Sequence, residues 1–195
     1  MKNILVPIDF SKKSEFASKM AARIAKKSNS VVYLLHIIEL PTGVIDMGPA
    51  SSFSIPESML YLRKIRERIL EFKNSFFSKS TQVHYAIKLQ TPYEGILKYA
   101  DKINADLIVM GYKGQSEFEE IIIGSNTEKV VRTAKIPVIV VKKDNEKFRM
   151  KNLIFASSFK NEDKKEVFRK FLEFANHFES KIHLLKINTP SKFES

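Results

Sequence analysis

Short apolar blocks alternate with segments of helical spacing along the first 143 residues. Ile4 to Ile8 is a nearly continuous apolar run, the pattern of a strand buried on both faces. Ser11 stands where a helix N-cap is needed, and Phe16, Met20 and Ile24 then recur every four residues on one face. Val31 to Ile38 reads as a second buried strand. Between Pro41 and Pro56, two glycines, three prolines and three serines predict a long loop.

Helical spacing returns with Met59, Leu62, Ile65, Ile69, Phe72 and Phe76 on a basic amphipathic segment. Val83, Tyr85, Ile87 and Leu89 alternate with polar residues, as in a strand with one more exposed face near a sheet edge. Thr91-Pro92-Tyr93-Glu94 has the spacing of a capping box with proline at the first helical position, opening a helix through Ile96, Leu97, Ala100 and Ile103. Asp106 to Met110 is the fourth strand, a glycine-spaced loop runs from Gly111 to Gly124, and a short helix carries Val130 and Val131. Pro137 to Val141 is the fifth strand. Such alternation predicts an α/β fold, a parallel sheet sandwiched by helices.

The pattern then starts again. Met1-Lys2-Asn3 recurs at Met150-Lys151-Asn152, and the same offset of 149 carries Phe10 onto Phe159 and Pro41 onto Pro190. Leu153 to Phe155 and Ile182 to Ile187 fall on the first two strands. The expected organisation is one complete α/β domain over 1–143, a polar linker over 144–149, and a partial second copy over 150–195 of strand–helix–strand form.

Composition narrows the class. The chain has 195 residues, one domain of roughly 150 residues and an appendage. With no cysteine, disulfide scaffolds, thiolate metal sites and cysteine nucleophiles are excluded. The longest apolar run, Val31 to Ile38, is far short of the ~20 residues of a membrane-spanning helix. The first nine residues include an acid where a secretory signal would be apolar, so a cytoplasmic location is expected. The net charge of +11 can mark a nucleic-acid surface. The bases are dispersed in pairs such as Lys12-Lys13 and Lys142-Lys143, and tryptophan is absent. A solvated lysine-rich face is the simpler account, and no nucleic-acid partner is expected.

Candidate chemistry concentrates after the fourth strand. Met110-Gly111-Tyr112-Lys113-Gly114 is followed by nine residues and then Gly124-Ser125-Asn126-Thr127. Open α/β sheets bind ligands outside the carboxyl ends of their strands. Glycines there permit close backbone approach and positive φ. Gly124-Ser125 opens a helix whose free N–H groups and dipole favour an anion such as phosphate, with Ser125, Asn126 and Thr127 as further donors. Three of the six glycines fall in this stretch, which argues against turns alone.

Gly-x2-Gly-x9-Gly-Ser at that position resembles the ATP-binding signature of the universal stress proteins. Ile4-Leu5-Val6-Pro7-Ile8-Asp9-Phe10-Ser11 resembles the family's first strand and helix start, Leu34-Leu35-His36-Ile37 its second strand, and Pro137 to Val141 its fifth. The resemblance runs through residues 1–143, with the tail like the start of a second copy in tandem members. It implies a five-stranded, Rossmann-like sheet of the adenine nucleotide alpha hydrolase type, with ATP (or AMP or ADP) at the switch point. Mg²⁺ would arrive through the nucleotide phosphates. By position, Asp9 would meet the adenine end, Pro7 would shape that strand end, and Ile37 would contact the base. Met110 and Gly111 would lie by the ribose, and Gly114, Gly124, Ser125 and Asn126 would hold the phosphates. Lys113 departs from the His or Arg often found there and can still reach a phosphate. The resemblance also implies a homodimer or pseudo-dimer through Val138, Ile139, Val140 and Val141, and a protein partner of unknown identity.

Other motifs fail. Gly43 and Gly48 have Walker A spacing, but Pro49 replaces its lysine. His36 sits inside an apolar strand as a core histidine would, and His84, His177 and His183 lack metal-ligand spacing. Asp9 can also cap the helix beginning near Ser11. With no evident water-positioning base, no catalytic residue is assigned, and ATP hydrolysis is expected to be slow at most. An ATP-binding stress or signalling module is the leading expectation. An interaction or dimerisation module with no nucleotide and an ATP-consuming enzyme of related fold are the alternatives.

Overall fold

The computed structural model describes residues 1–39, 55–112, 124–144, 149–157 and 164–186, with only the backbone described at 55–58 and 164. Two compact units divide the chain, Met1–Asp144 and Asn145–Ser195. The first carries β1 (Asn3–Ile8), α1 (Lys12–Ser28), β2 (Val31–Ile38), α2 (Ile55–Phe76), β3 (Val83–Leu89), α3 (Pro92–Lys102), β4 (Leu107–Gly111), α4 (Ser125–Thr133) and β5 (Val138–Val141). Its five strands are all parallel, in the order β3-β2-β1-β4-β5. This is the expected fold class.

Central position explains the near-continuous apolar run of β1. Ile4 lies opposite Val32 on one side and Leu107 on the other, and Ile4, Leu5 and Val6 are fully buried. Leu5 packs with Leu35, Ile96, Ile108, Met110 and Val130 under α3 and α4. Its strand neighbours point to the opposite face by alternation, where α1 buries Ala17, Met20, Ala21 and Ile24 over β1 and β4. The Asp106 carboxylate accepts from the backbone N–H groups of Lys2 at 2.6 Å and Asn3 at 2.9 Å, fixing where β1 starts beside β4.

Local signals act with two corrections. Ser11 is the N-cap of α1, its hydroxyl accepting from the Ser14 N–H at 3.3 Å, and Asn29 closes that helix at φ 51°. Thr91 has an extended N-cap backbone but makes no side-chain cap bond, so the capping box does not form. Glu94 instead reaches forward to Lys98 at 3.3 Å, and Pro92 presets the first turn. The second correction is that α2 begins at Ile55. Pro56 then occupies the first turn, where its missing N–H has no partner to lose. Residues 40–54, most of the expected loop, lie outside the described residues. β3 is an edge strand as its alternation predicted, and β5 is the opposite edge.

Asp144 belongs to the first unit rather than to the linker. Its carboxylate pairs with Lys19 and with Arg23, each at 2.9 Å, tying the chain after β5 to α1. The second unit consists of β6 (Asn152–Ala156), α5 (Lys164–His177) and β7 (Lys181–Leu185), with β6 and β7 parallel. Phe155 packs its ring against Phe168 and Phe171 of α5 at 4.8 and 5.0 Å, and Ala175 and Phe178 are buried.

Candidate functional site

The chain leaves β1 for β2 on one side and reaches β4 and β5 on the other, so the carboxyl ends of these strands part at a switch point. A cleft of about 500 Å³ opens there. The β1 end contributes Pro7, Ile8 and Asp9, the β2 end Leu35 to Glu39, and β4 Met110 and Gly111. The first turn of α4 contributes Gly124 to Thr127, and Ser14, Tyr61, Pro92 and Ile96 complete the wall from α1, α2 and α3.

Eight of the ten residues singled out in the sequence therefore lie on one cleft: Pro7, Asp9, Ile37, Met110, Gly111, Gly124, Ser125 and Asn126. The other two, Lys113 and Gly114, lie outside the described residues. Two bonds hold the ends of the glycine stretch side by side. The Gly124 N–H donates to the Tyr112 carbonyl at 3.1 Å, and the buried Thr127 hydroxyl donates to the Gly111 carbonyl at 3.0 Å. The N-terminus of α4 is thereby anchored against the end of β4, with Ser125 exposed and Asn126 half-buried at the cleft. A helix N-terminus offers N–H groups without intrahelical partners and a positive dipole end, which suit an anion.

Gly111 has an architectural reason for being glycine. A Cβ there would lie 2.8 Å from Lys13 Cβ and 2.9 Å from the Lys13 carbonyl carbon, so its missing side chain is what lets β4 end against the first turn of α1. Gly124 sits at φ −58°, a conformation open to any residue. Gly95 of α3 repeats the packing theme, because a Cβ there would meet Ile37 Cδ1 at 2.7 Å.

The β1 end is held by a small polar and aromatic network. Asp9 Oδ1 accepts from the Ser11 N–H at 3.0 Å, so one of its oxygens supports the start of α1 while the residue lines the cleft. Phe10 adopts φ 62°. Its ring packs on His36 at 4.7 Å and on Phe72 at 5.8 Å, with the Arg68 guanidinium 4.3 Å from its centre. His36 Nδ1 lies 2.9 Å from the Ile8 carbonyl, which assigns the proton to Nδ1. Burial lowers the His36 pKa below its ordinary value, opposed by the Ile8 hydrogen bond and by Asp9, and assisted by Arg68. His36 is thus a neutral brace between β1 and β2, hydrogen-bonded as expected but half-buried at the cleft rather than in the core.

Among the described residues, no three His, Asp or Glu side chains gather as a metal cage. The cleft joins an aliphatic and carboxylate-bearing end at β1 and β2 to a helix N-terminus rich in hydroxyl and amide donors at β4.

A model described as the universal stress protein family matches residues 1–142. The chain belongs to the universal stress protein family. The universal stress protein MJ0531 of Methanocaldococcus jannaschii is 31% identical over 142 residues, covering 73% of this chain and 82% of its own. MJ0577 of the same organism is 30% identical over 163 residues, covering 74% and 96%. The solved structure of MJ0577 has a TM-score of 0.59 at 30% identity, covering 74% of this chain and 98% of that one. A universal stress protein solved in complex with cAMP shares the fold, with a TM-score of 0.51 at 22% identity, covering 72% and 96%.

Within this universal stress protein, the glycine spacing led to the α4 end of the cleft but missed part of the opposite end. Glu39 follows β2 directly, and Tyr61 stands off the buried stripe of α2 formed by Ile65, Ile69 and Phe72. Neither carries a spacing signal, because each reaches the cleft by tertiary placement. No helix among the described residues is long and apolar enough to cross a membrane.

Proposed function

We propose that the cleft binds ATP and that the chain is an ATP-binding stress-response or signalling module. The observation that carries this reading is the convergence of Gly111 and Gly124 to Asn126 on the same cleft as Pro7, Asp9 and Ile37. Phosphates would lie at the first turn of α4, where backbone N–H groups, the Ser125 hydroxyl and the Asn126 amide can donate. Gly114 and Lys113 would complete that end. The ribose would lie by Met110 and Gly111, and the base by Asp9 and Ile37. Mg²⁺ would come with the phosphates, and AMP or ADP would fit the same frame.

Binding is the function in this reading, and hydrolysis is slow at most. The β5 edge, Val138 to Val141, is the surface through which two copies would pair and present the nucleotide state to a protein partner in the cytoplasm. The unit after Asp144 repeats the parallel strand–helix–strand start of the first unit, as the beginning of a second copy would.

Isothermal titration of ATP with Mg²⁺ tests the reading. Saturable binding near one nucleotide per chain is expected, weakened at least tenfold by Asn126→Asp, which sets a carboxylate against the phosphates. Absence of heat from folded protein that carries no nucleotide through purification would refute it. The packing of Gly111 against Lys13 favours a second reading, in which the glycines are architecture and the module acts through its surfaces alone. That reading predicts partner binding indifferent to ATP.

A further inference from the structure

The adenine-side wall of the cleft contains one side chain whose chemistry the glycine stretch does not account for. Tyr61 of α2 lines the cleft together with Ile37, Ile38 and Glu39, yet 52% of its surface is exposed. Only one other aromatic ring lines the cleft among the described residues, that of His36. His36 is already committed, its face to Phe10 at 4.7 Å and its Nδ1 to the Ile8 carbonyl at 2.9 Å. Tyr61 has no ring partner among the described residues and presents an open aromatic face. From β2 the lining also includes the aliphatic Leu35, Ile37 and Ile38, with Glu39 directly after the strand. A purine is a flat plate with two apolar faces and a polar rim, so it needs two apolar walls to be desolvated. Aliphatic side chains and an aromatic ring with no ring partner among the described residues both line this cleft.

We infer that Tyr61 is a specificity-determining residue that stacks on the base of the bound nucleotide and selects base-bearing ligands over bare phosphates. The inference rests on the nucleotide reading above and adds to it the residue through which the base is sensed. α2 is placed for this task. It packs beside α1, and its Arg68 and Phe72 grip Phe10 next to Asp9, so the helix carrying Tyr61 is fixed to the β1 end of the same cleft. Stacking on an aromatic tolerates any base, so Tyr61 discriminates a nucleotide from a phosphate, leaving the choice among bases to the polar rim.

The absence of tryptophan from the chain makes a direct test available. Tyr61→Trp places a single indole at the site. Titration with AMP is expected to quench its emission by stacking, whereas ribose 5-phosphate and inorganic triphosphate leave it unchanged. In parallel, equilibrium dialysis with radiolabelled ATP compares the wild-type chain with Tyr61→Ala and Tyr61→Phe. Tyr61→Ala is expected to weaken ATP about tenfold, equivalent to about 1.4 kcal/mol, while inorganic triphosphate competes with labelled ATP at its wild-type inhibition constant. Tyr61→Phe keeps the ring and is expected to keep the affinity. If wild-type protein retains ATP but Tyr61→Ala binds it equally well, or the indole does not respond to AMP, the stacking role is overturned and the nucleotide reading stands. If wild-type protein retains no ATP, both fall together.

Discussion

The Thr127 hydroxyl donates to the Gly111 carbonyl at 3.0 Å, joining the first turn of α4 to the last residue of β4. Thr127 is 4% exposed, whereas Gly111 is half-buried at the cleft, so the bond is partly shielded from water. Thr127→Val keeps the shape and removes the donor. Losing a hydrogen bond of this kind costs about 0.5–1.5 kcal/mol, and the variant should melt a few degrees below wild type by calorimetry. Because the same bond aims the α4 N-terminus at the cleft, ATP affinity should fall as well, measurably at a temperature where the variant is still folded.

Gly111→Ala is expected to be the more damaging change, because the new methyl would meet the Lys13 backbone rather than a movable side-chain tip. The separations of 2.8 and 2.9 Å from Lys13 Cβ and carbonyl carbon require α1 or β4 to shift. Overpacking of this kind costs about 1–3 kcal/mol. Denaturant unfolding of Gly111→Ala should show a lower midpoint with an unchanged slope. An unaltered midpoint would mean that the strand end yields freely.

The contrast between these two positions shows what the sequence carried. The sheet was legible because β1 and β4 are buried on both faces and read as unbroken apolar runs, and β3, at the edge, reads as alternation. Pairing order is a long-range property, yet strand–helix alternation leaves few arrangements for a parallel sheet. Glycine spacing marked the α4 end of the cleft, but it could not say that Gly111 answers to Lys13, nearly a hundred residues earlier. Thr91 and Glu94 had capping-box spacing and did not form the box, because Glu94 found Lys98 one turn on. Tyr61 was invisible for the opposite reason. Nothing in its local pattern distinguishes it from the exposed residues around it, and only folding brings α2 over the cleft.

The Asp144 ion pairs should make the first unit sensitive to acid. Hydrogen bonding to Lys19, then to Arg23, holds the Asp144 carboxyl below its ordinary value against the opposing effect of burial. A carboxylate with a lowered folded pKa stabilises fully above its unfolded value, about 4. That contribution is lost as pH falls through the folded value. Asp144→Asn should therefore lower stability at pH 7 by about 1 kcal/mol or less, since both partners are partly exposed. The gap between variant and wild type should close below pH 4 in acid titrations followed by circular dichroism.

His36 imposes a dependence of the same sign in a different window. Burial is the main cause of its lowered pKa, with the Ile8 hydrogen bond and Asp9 opposing and Arg68 assisting. The folded state thus holds His36 neutral at a pH where the unfolded chain already binds the proton. Its contribution is complete above the ordinary histidine value, about 6.5, and is lost progressively as pH falls below it. His36→Asn removes the titration while placing an amide N–H where Nδ1 donates to the Ile8 carbonyl. The variant should lose ring packing against Phe10 and be less stable than wild type at pH 7.5. Between pH 7 and pH 5, however, its melting temperature should fall less steeply. Parallel slopes would mean that the histidine ring is protonated as easily in the fold as outside it, and the neutral brace between β1 and β2 would have to be abandoned.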